Sequence, residues 1–188
     1  MAALVFFAAL SLNLLLQFAL GIKELIRREP PSVMLFYYPW LILFVSTFFL
    51  WIFFAQILFF TGGILDFLLI FPLSVLGSMG LEKFFFNFLV KGKNPGIFSI
   101  GSSYNGLAAA ALYLTLRHAL SVADAFFLSL AFSAGGLLAF LIIKEVQKRT
   151  FLESIPHRLR GTPILLVSMG LLSLLFSAAA ALFLKIFL

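Results

Sequence analysis

The feature that most constrains this chain is its alternation of long apolar runs with short, mostly basic breaks. A hydrocarbon core about 30 Å thick is crossed by about 20 apolar residues in a helix rising about 1.5 Å per residue. Ala2–Gly21 meets that length, interrupted only by Asn13 and Gln17. Val33–Phe60 exceeds it and has room to tilt; Pro39 lies in its opening turns beside Tyr37, Tyr38 and Trp40, which are expected at the headgroup level. Thr61–Gly63 turns the chain into Ile64–Leu81, which Glu82 and Lys83 are expected to end, with Phe84–Val90 as an interfacial extension. Ile97–Leu116, Val122–Ile143 and Pro163–Leu184 complete six spans.

Composition excludes the alternatives. The chain is 63% hydrophobic and 11% charged, with 26 Phe and no Cys, where a soluble domain runs at about 45–50% apolar and about 25% charged. So much apolar surface turned to water would aggregate. A soluble enzyme, a disordered chain and a disulfide-stapled secreted domain are all excluded. The reading is an all-α polytopic membrane protein, one transmembrane domain over 1–188. Without Cys there is no thiolate for zinc, an iron–sulfur cluster or covalent catalysis. Only His118 and His157 remain as histidines, so neither a catalytic nor a metal site is expected.

The loops carry the orientation. With six spans, one side holds both termini and only Arg117 and Lys185 of the 13 Lys and Arg. The other side holds Lys23, Arg27, Arg28, Lys83, Lys91, Lys93, Lys144, Lys148, Arg149, Arg158 and Arg160. The positive-inside rule puts these in the cytoplasm and both termini outside, as expected for a multi-pass inner-membrane protein. The net charge of +6 then faces anionic lipid, not nucleic acid. The first span lacks a basic leader and is expected to stay attached. The break at Lys91–Pro95 divides the chain into three-helix halves, 1–90 and 95–188. An odd number of helices per half forces opposite orientations, the inverted-repeat arrangement.

Within the spans, Asn13, Gln17, Gln56 and Asn105 are the uncharged amides. One reading is interhelical hydrogen bonding, worth ~0.6 kcal/mol each in membranes. The other is a midplane site where broken helices expose backbone groups. Packing is preferred for Gln17 and Gln56. For Asn105 both stay open, because Gly101–Gly106 (GSSYNG) makes a poor continuous helix. The candidate midplane site is Asn13, Gln17, Gly21, Asn105 and Gly106. Asp66 and Asp124, the acidic residues nearest a span interior, fall in first helical turns; Ser121 with Asp124 reads as a capping box, and capping is preferred to an ion pathway for both. Glu82/Lys83 and Lys144/Glu145 read as interfacial pairs. The stretch Ala131, Ser133, Ala134, Gly135, Gly136 is expected to pack tightly against a neighbouring helix, and the Phe-rich run from Phe44 to Phe60 to face lipid or a partner subunit.

Three stretches bear on a family. Asn13–Gly21 (NLLLQFALG) is similar to an Asn-rich first helix ending in Leu-Gly-Leu-Cys. Gly96–Phe98 followed by Asn105 has the spacing between Gly-Ile-Phe and Thr-Thr-Asn-Cys. Arg149, Pro156, Arg160 and Gly161 match the approach to a last helix. On these residues the chain resembles the six-span membrane subunits of the Rnf and sodium-pumping NADH:quinone oxidoreductase (Nqr) complexes, closer to the RnfA/NqrE type. The resemblance implies inverted three-helix halves, half-helices around Asn13 and Asn105, and pairing with a related subunit. In that family, cysteines pooled between two paired subunits hold a [2Fe–2S] cluster in the membrane. Here those positions fall on Lys23 and Gly106, so no cofactor is expected on this chain, and flavin and iron–sulfur clusters belong to partner subunits. The expected role is a non-catalytic subunit of an ion-translocating electron-transport complex. The alternative is a stand-alone small-solute or ion transporter or channel on the same scaffold, binding near Asn13, Gln17 and Asn105.

Overall fold

A computed structural model describes residues 8–10, 12–18, 33–57, 64–89, 101–152 and 162–187. The described residues are all-helical apart from short turns: α1 Leu14–Phe18, α2 Val33–Ile52, α3 Ile64–Leu89, α4 Gly101–His118, α5 Val122–Leu152 and α6 Thr162–Phe187. Residues 8–10 form a separate helical piece before α1, and a π-helical turn, Phe53–Ile57, extends α2. Helices satisfy every interior backbone N–H and C=O within one segment, which apolar surroundings without water require.

Two of these helices are long and apolar enough to cross a membrane, over Val122–Arg149 and Thr162–Phe183. Shorter apolar stretches run over Trp40–Gln56 and Leu68–Leu81. The two long helices differ in place. Over the most apolar window 56% of α5 is buried inside the molecule, against 22% of α6. Helix α5 therefore runs through the bundle and α6 lies along its outside. The bundle is built by α2 against α3, α4 and α5, by α3 against α4, and by α1 against α4, α5 and α6. Helix α5 also touches α4 and α6.

The core is a single apolar cluster that includes Leu15, Trp40, Leu43, Phe54, Ile70, Leu112, Leu128, Ile143 and Leu165. Large side chains on the outer helices stay uncovered, among them Leu68, Leu76, Leu166, Leu171, Leu174 and Leu182. An exposed apolar surface of that extent is suited to lipid or to another protein, not to water.

Several elements depart from what the sequence predicts. Trp40 is buried, 2% exposed, with its ring edge-on to Phe140 at 5.9 Å, whereas Tyr37 beside it is exposed. The indole is an interhelical wedge, and its apolar area outweighs its single polar atom. Glu82 and Lys83 end the apolar run but not the third helix, which continues into the expected Phe84–Val90 extension as far as Leu89. Helix α5 likewise passes Ile143 to Leu152. Charged side chains do not stop a helix where water can solvate them, because the backbone ladder runs on. Gly101–Gly106 is helical throughout, as the opening turns of α4. The Phe-rich run divides. Phe49 and Phe53 are exposed, but Phe54 is wholly buried, and Phe44 and Phe48 meet Phe126 of α5 edge-on at 5.3 and 5.5 Å.

The turn into α5 is closed by the predicted capping box. Ser121 Oγ accepts from the Asp124 N–H at 3.2 Å, and Asp124 Oδ2 accepts from the N–H groups of Ser121 at 3.1 Å and Leu120 at 3.3 Å. The carboxylate also sits at the positive end of the helix dipole. Lys144 and Glu145 do not pair with each other. Adjacent residues point about 100° apart on a helix, so Glu145 reaches the Arg149 guanidinium one turn on at 3.3 Å. Lys144 Nζ instead lies over the Phe140 ring, 5.7 Å from its centroid.

Candidate functional site at the interrupted first helix

The first apolar run is not one helix. Residues 8–10 are helical, Leu12 is in a turn, Asn13 is non-helical, and α1 restarts at Leu14. Asparagine suits this position because its side chain replaces backbone partners that the interruption removes. Asn13 Oδ1 accepts from the Leu16 N–H at 3.4 Å, the N-cap bond of α1. Asn13 Nδ2 donates to the Ala9 carbonyl at 3.3 Å, which closes the preceding helical piece. The same nitrogen donates to the Gly135 carbonyl of α5 at 2.7 Å. Both amide hydrogens are thus used, in a side chain that is 2% exposed.

The small-residue stretch of α5 explains how the chain gets so close. A Cβ on Gly135 would run into the Ala9 backbone carbonyl, and one on Gly136 into the Trp40 ring. Neighbouring helix positions point about 100° apart, so the two glycines receive different partners. Gly135 admits the segment around Ala9, and Gly136 admits α2. Ser133 adds a hydrogen bond from its Oγ to the Trp40 carbonyl at 2.6 Å. Ala131, Ser133, Gly135 and Gly136 are buried and Ala134 is exposed. The stretch therefore clasps the broken first helix and α2 at once.

The remaining candidates are described only in part. Gln17 lies on α1 and Asn105 on α4, both with side chains outside the described residues, while α1 and α4 pack against each other. Gly106 is partly buried on α4, and Gly21 and Lys23 lie outside the described residues. Gln56 is exposed in the π-helical turn. The side chain of Asp66, the loop Lys91–Pro95 and His157 also lie outside them. His118 is exposed at the end of α4.

A thiolate-held [2Fe–2S] cluster does not fit this chain. The sequence has no Cys to supply a thiolate. Among the described residues no group of three or more His, Asp or Glu could hold a metal. What the sequence leaves unassigned is the partner of Asn13. The glycine pair Gly135–Gly136 signals a close approach, but a close approach has no address until the helices are packed.

No family model matches the sequence, and no curated protein or solved structure is significantly similar to it.

Proposed function

We propose that the chain is an integral membrane subunit of an Rnf/Nqr-like, ion-translocating electron-transport assembly, and that it holds no iron–sulfur cluster of its own. The observation that carries this reading is the interrupted first helix. The break falls on Asn13, the residue that opens the Asn13–Gly21 stretch on which the resemblance rests, and its side chain is committed to Gly135 in the opposite half. A break of this kind inside an apolar run is tolerated only where neighbouring protein re-satisfies the freed backbone groups.

The reading includes six spans, two inverted three-helix halves and both termini outside an inner membrane. The neighbour pattern supports the repeat. Exchanging α1 with α4, α2 with α5 and α3 with α6 leaves the α2–α5 and α1–α4 packings in place. The same exchange turns α3–α4 into α1–α6, α2–α4 into α1–α5 and α2–α3 into α5–α6, each a contact of this bundle. The α4–α5 contact is enforced by the short hairpin at Ser121 and has no counterpart among the main contacts. Partners on this reading are the lipid bilayer, a related membrane subunit, and subunits that carry flavin and iron–sulfur centres.

The test is a mild-detergent pull-down of the tagged native protein, analysed by mass spectrometry and visible absorbance. Recovery with flavin- and iron–sulfur-containing subunits is expected. Recovery alone, or as a colourless homo-oligomer, overturns the electron-transport role and leaves the stand-alone transporter or channel as the reading to pursue.

A further inference from the structure

Seven hydroxyl side chains are buried among the described residues, and six of them have a partner. Ser46, Ser74, Ser78, Thr115 and Ser129 donate to carbonyls three or four residues earlier on their own helices, the usual escape for a hydroxyl in an apolar helix. Ser133 donates to the Trp40 carbonyl of another helix. Thr47 does neither. Its Oγ1 is buried without a hydrogen-bond partner, and so is the indole Nε1 of Trp51. The two residues are 1% and 3% exposed, too little for either group to reach solvent.

Their placement makes them one feature. Thr47 and Trp51 are one turn apart and share a face of α2. A long helical side chain leans back toward the N-terminus, which carries the Trp51 ring over the turn of Thr47. On one flank, Leu50 meets the Gly77 position of α3. On the other, Phe48 stacks edge-on against Phe126 of α5. The face between these flanks points to the interior that α3, α4 and α5 surround, and the π-helical turn Phe53–Ile57 follows directly. Such turns recur at functional sites.

The geometry points to a small binding site at Thr47 and Trp51 that takes a hydrogen-bond-accepting oxygen, carried by an internal water or by the carbonyl of a small apolar molecule. An indole N–H only donates, whereas a threonine hydroxyl donates or accepts. An oxygen with two lone pairs is the acceptor that serves both. Buried polar groups in folded proteins are satisfied by protein or by bound water, and an isolated pair in an apolar interior is costly unless something occupies it. The site does not depend on the assembly in which the chain works.

Ultraviolet resonance Raman spectra of the full chain in detergent test this, because one indole mode reports N–H hydrogen bonding. The difference between wild type and Trp51→Phe isolates the Trp51 band. The expected band is that of a bonded N–H, moved to the free position in Thr47→Val and kept in Thr47→Ser. A free N–H in the wild type overturns the site, as does a bonded band that Thr47→Val leaves unmoved. Thr47→Val against Thr47→Ser, with both native tryptophans present, gives the same reading should Trp51→Phe not fold. The two sources then separate. Rapid N–H exchange in D2O identifies water, and a slowly exchanging bonded band lost on solvent extraction identifies an organic carbonyl.

Discussion

Asn13 and Gly135 are joined by a hydrogen bond of 2.7 Å across 122 positions of sequence. The donor is the amide side chain at the break in the first helix, and the acceptor is a backbone carbonyl in α5. The bond ties the interrupted first helix to a helix that runs through the bundle. Replacing Asn13 with Ala removes this bond and the N-cap of α1 together, and leaves the Leu16 N–H buried without its acceptor. The expected loss is about 1–3 kcal/mol, read by thermal unfolding in detergent. Asn13→Ser keeps a capping oxygen but is too short to reach Gly135, so its loss should be smaller. Equal losses would place all the stabilisation in the bonds that Asn13 Nδ2 donates, and none in the cap.

Glycine substitutions separate close approach from helix propensity. Gly135→Ala drives a methyl group into the Ala9 backbone, which cannot swing aside as a side chain can; about 1–3 kcal/mol of destabilisation is expected. Gly80 and Gly170 have open space where a Cβ would sit. Alanine at either should be neutral or stabilising by up to about 1 kcal/mol. If Gly135→Ala unfolds at the same temperature as Gly170→Ala, the contact with Ala9 is absent in the folded protein.

Gly136 and Trp40 should be coupled. Gly136→Ala meets the six-membered ring of the indole, and Trp40→Phe shortens that ring system. Each change alone is destabilising. The double variant should recover at least about 0.5 kcal/mol of the summed losses, the signature of residues in contact. Strict additivity in the double-mutant cycle would sink the proposed wedge.

Polar pairs at the two ends of α5 should differ in weight. Ser121→Ala and Asp124→Ala each remove part of a reciprocal cap and should cost about 1 kcal/mol, less than additively when combined. The Glu145–Arg149 pair has side chains 56% and 75% exposed. Glu145→Gln should change stability by less than about 1 kcal/mol, falling further with added salt. A larger effect at Glu145 than at Ser121 would mean that the far end of the helix is not open to solvent.

Topology can be read with a single reporter, since the chain has no native Cys. In intact cells, Asn94→Cys should resist membrane-impermeant thiol reagents and become labelled once the cytoplasmic face is opened. Labelling from outside would reverse the orientation drawn from the basic loops.

The sequence by itself determined the class of this protein and several of its local features. Apolar runs flanked by basic breaks specify helices for an apolar environment, because hydropathy and the backbone's need for internal hydrogen bonds act over one segment at a time. The Ser121–Asp124 cap was legible for the same reason, its partners being three residues apart. Asn13 stood out as an amide in an apolar stretch, and the Gly135–Gly136 pair as a place of close approach. Tertiary structure alone decided that these two signals belong together, that Trp40 is a buried wedge while Tyr37 faces outward, and that Gly101–Gly106 begins a helix. It also left Thr47 and Trp51 facing inward without a protein partner. These outcomes depend on which helices meet, and helix packing is set by the summed fit of many side chains from distant parts of the chain. No single window of sequence contains that sum.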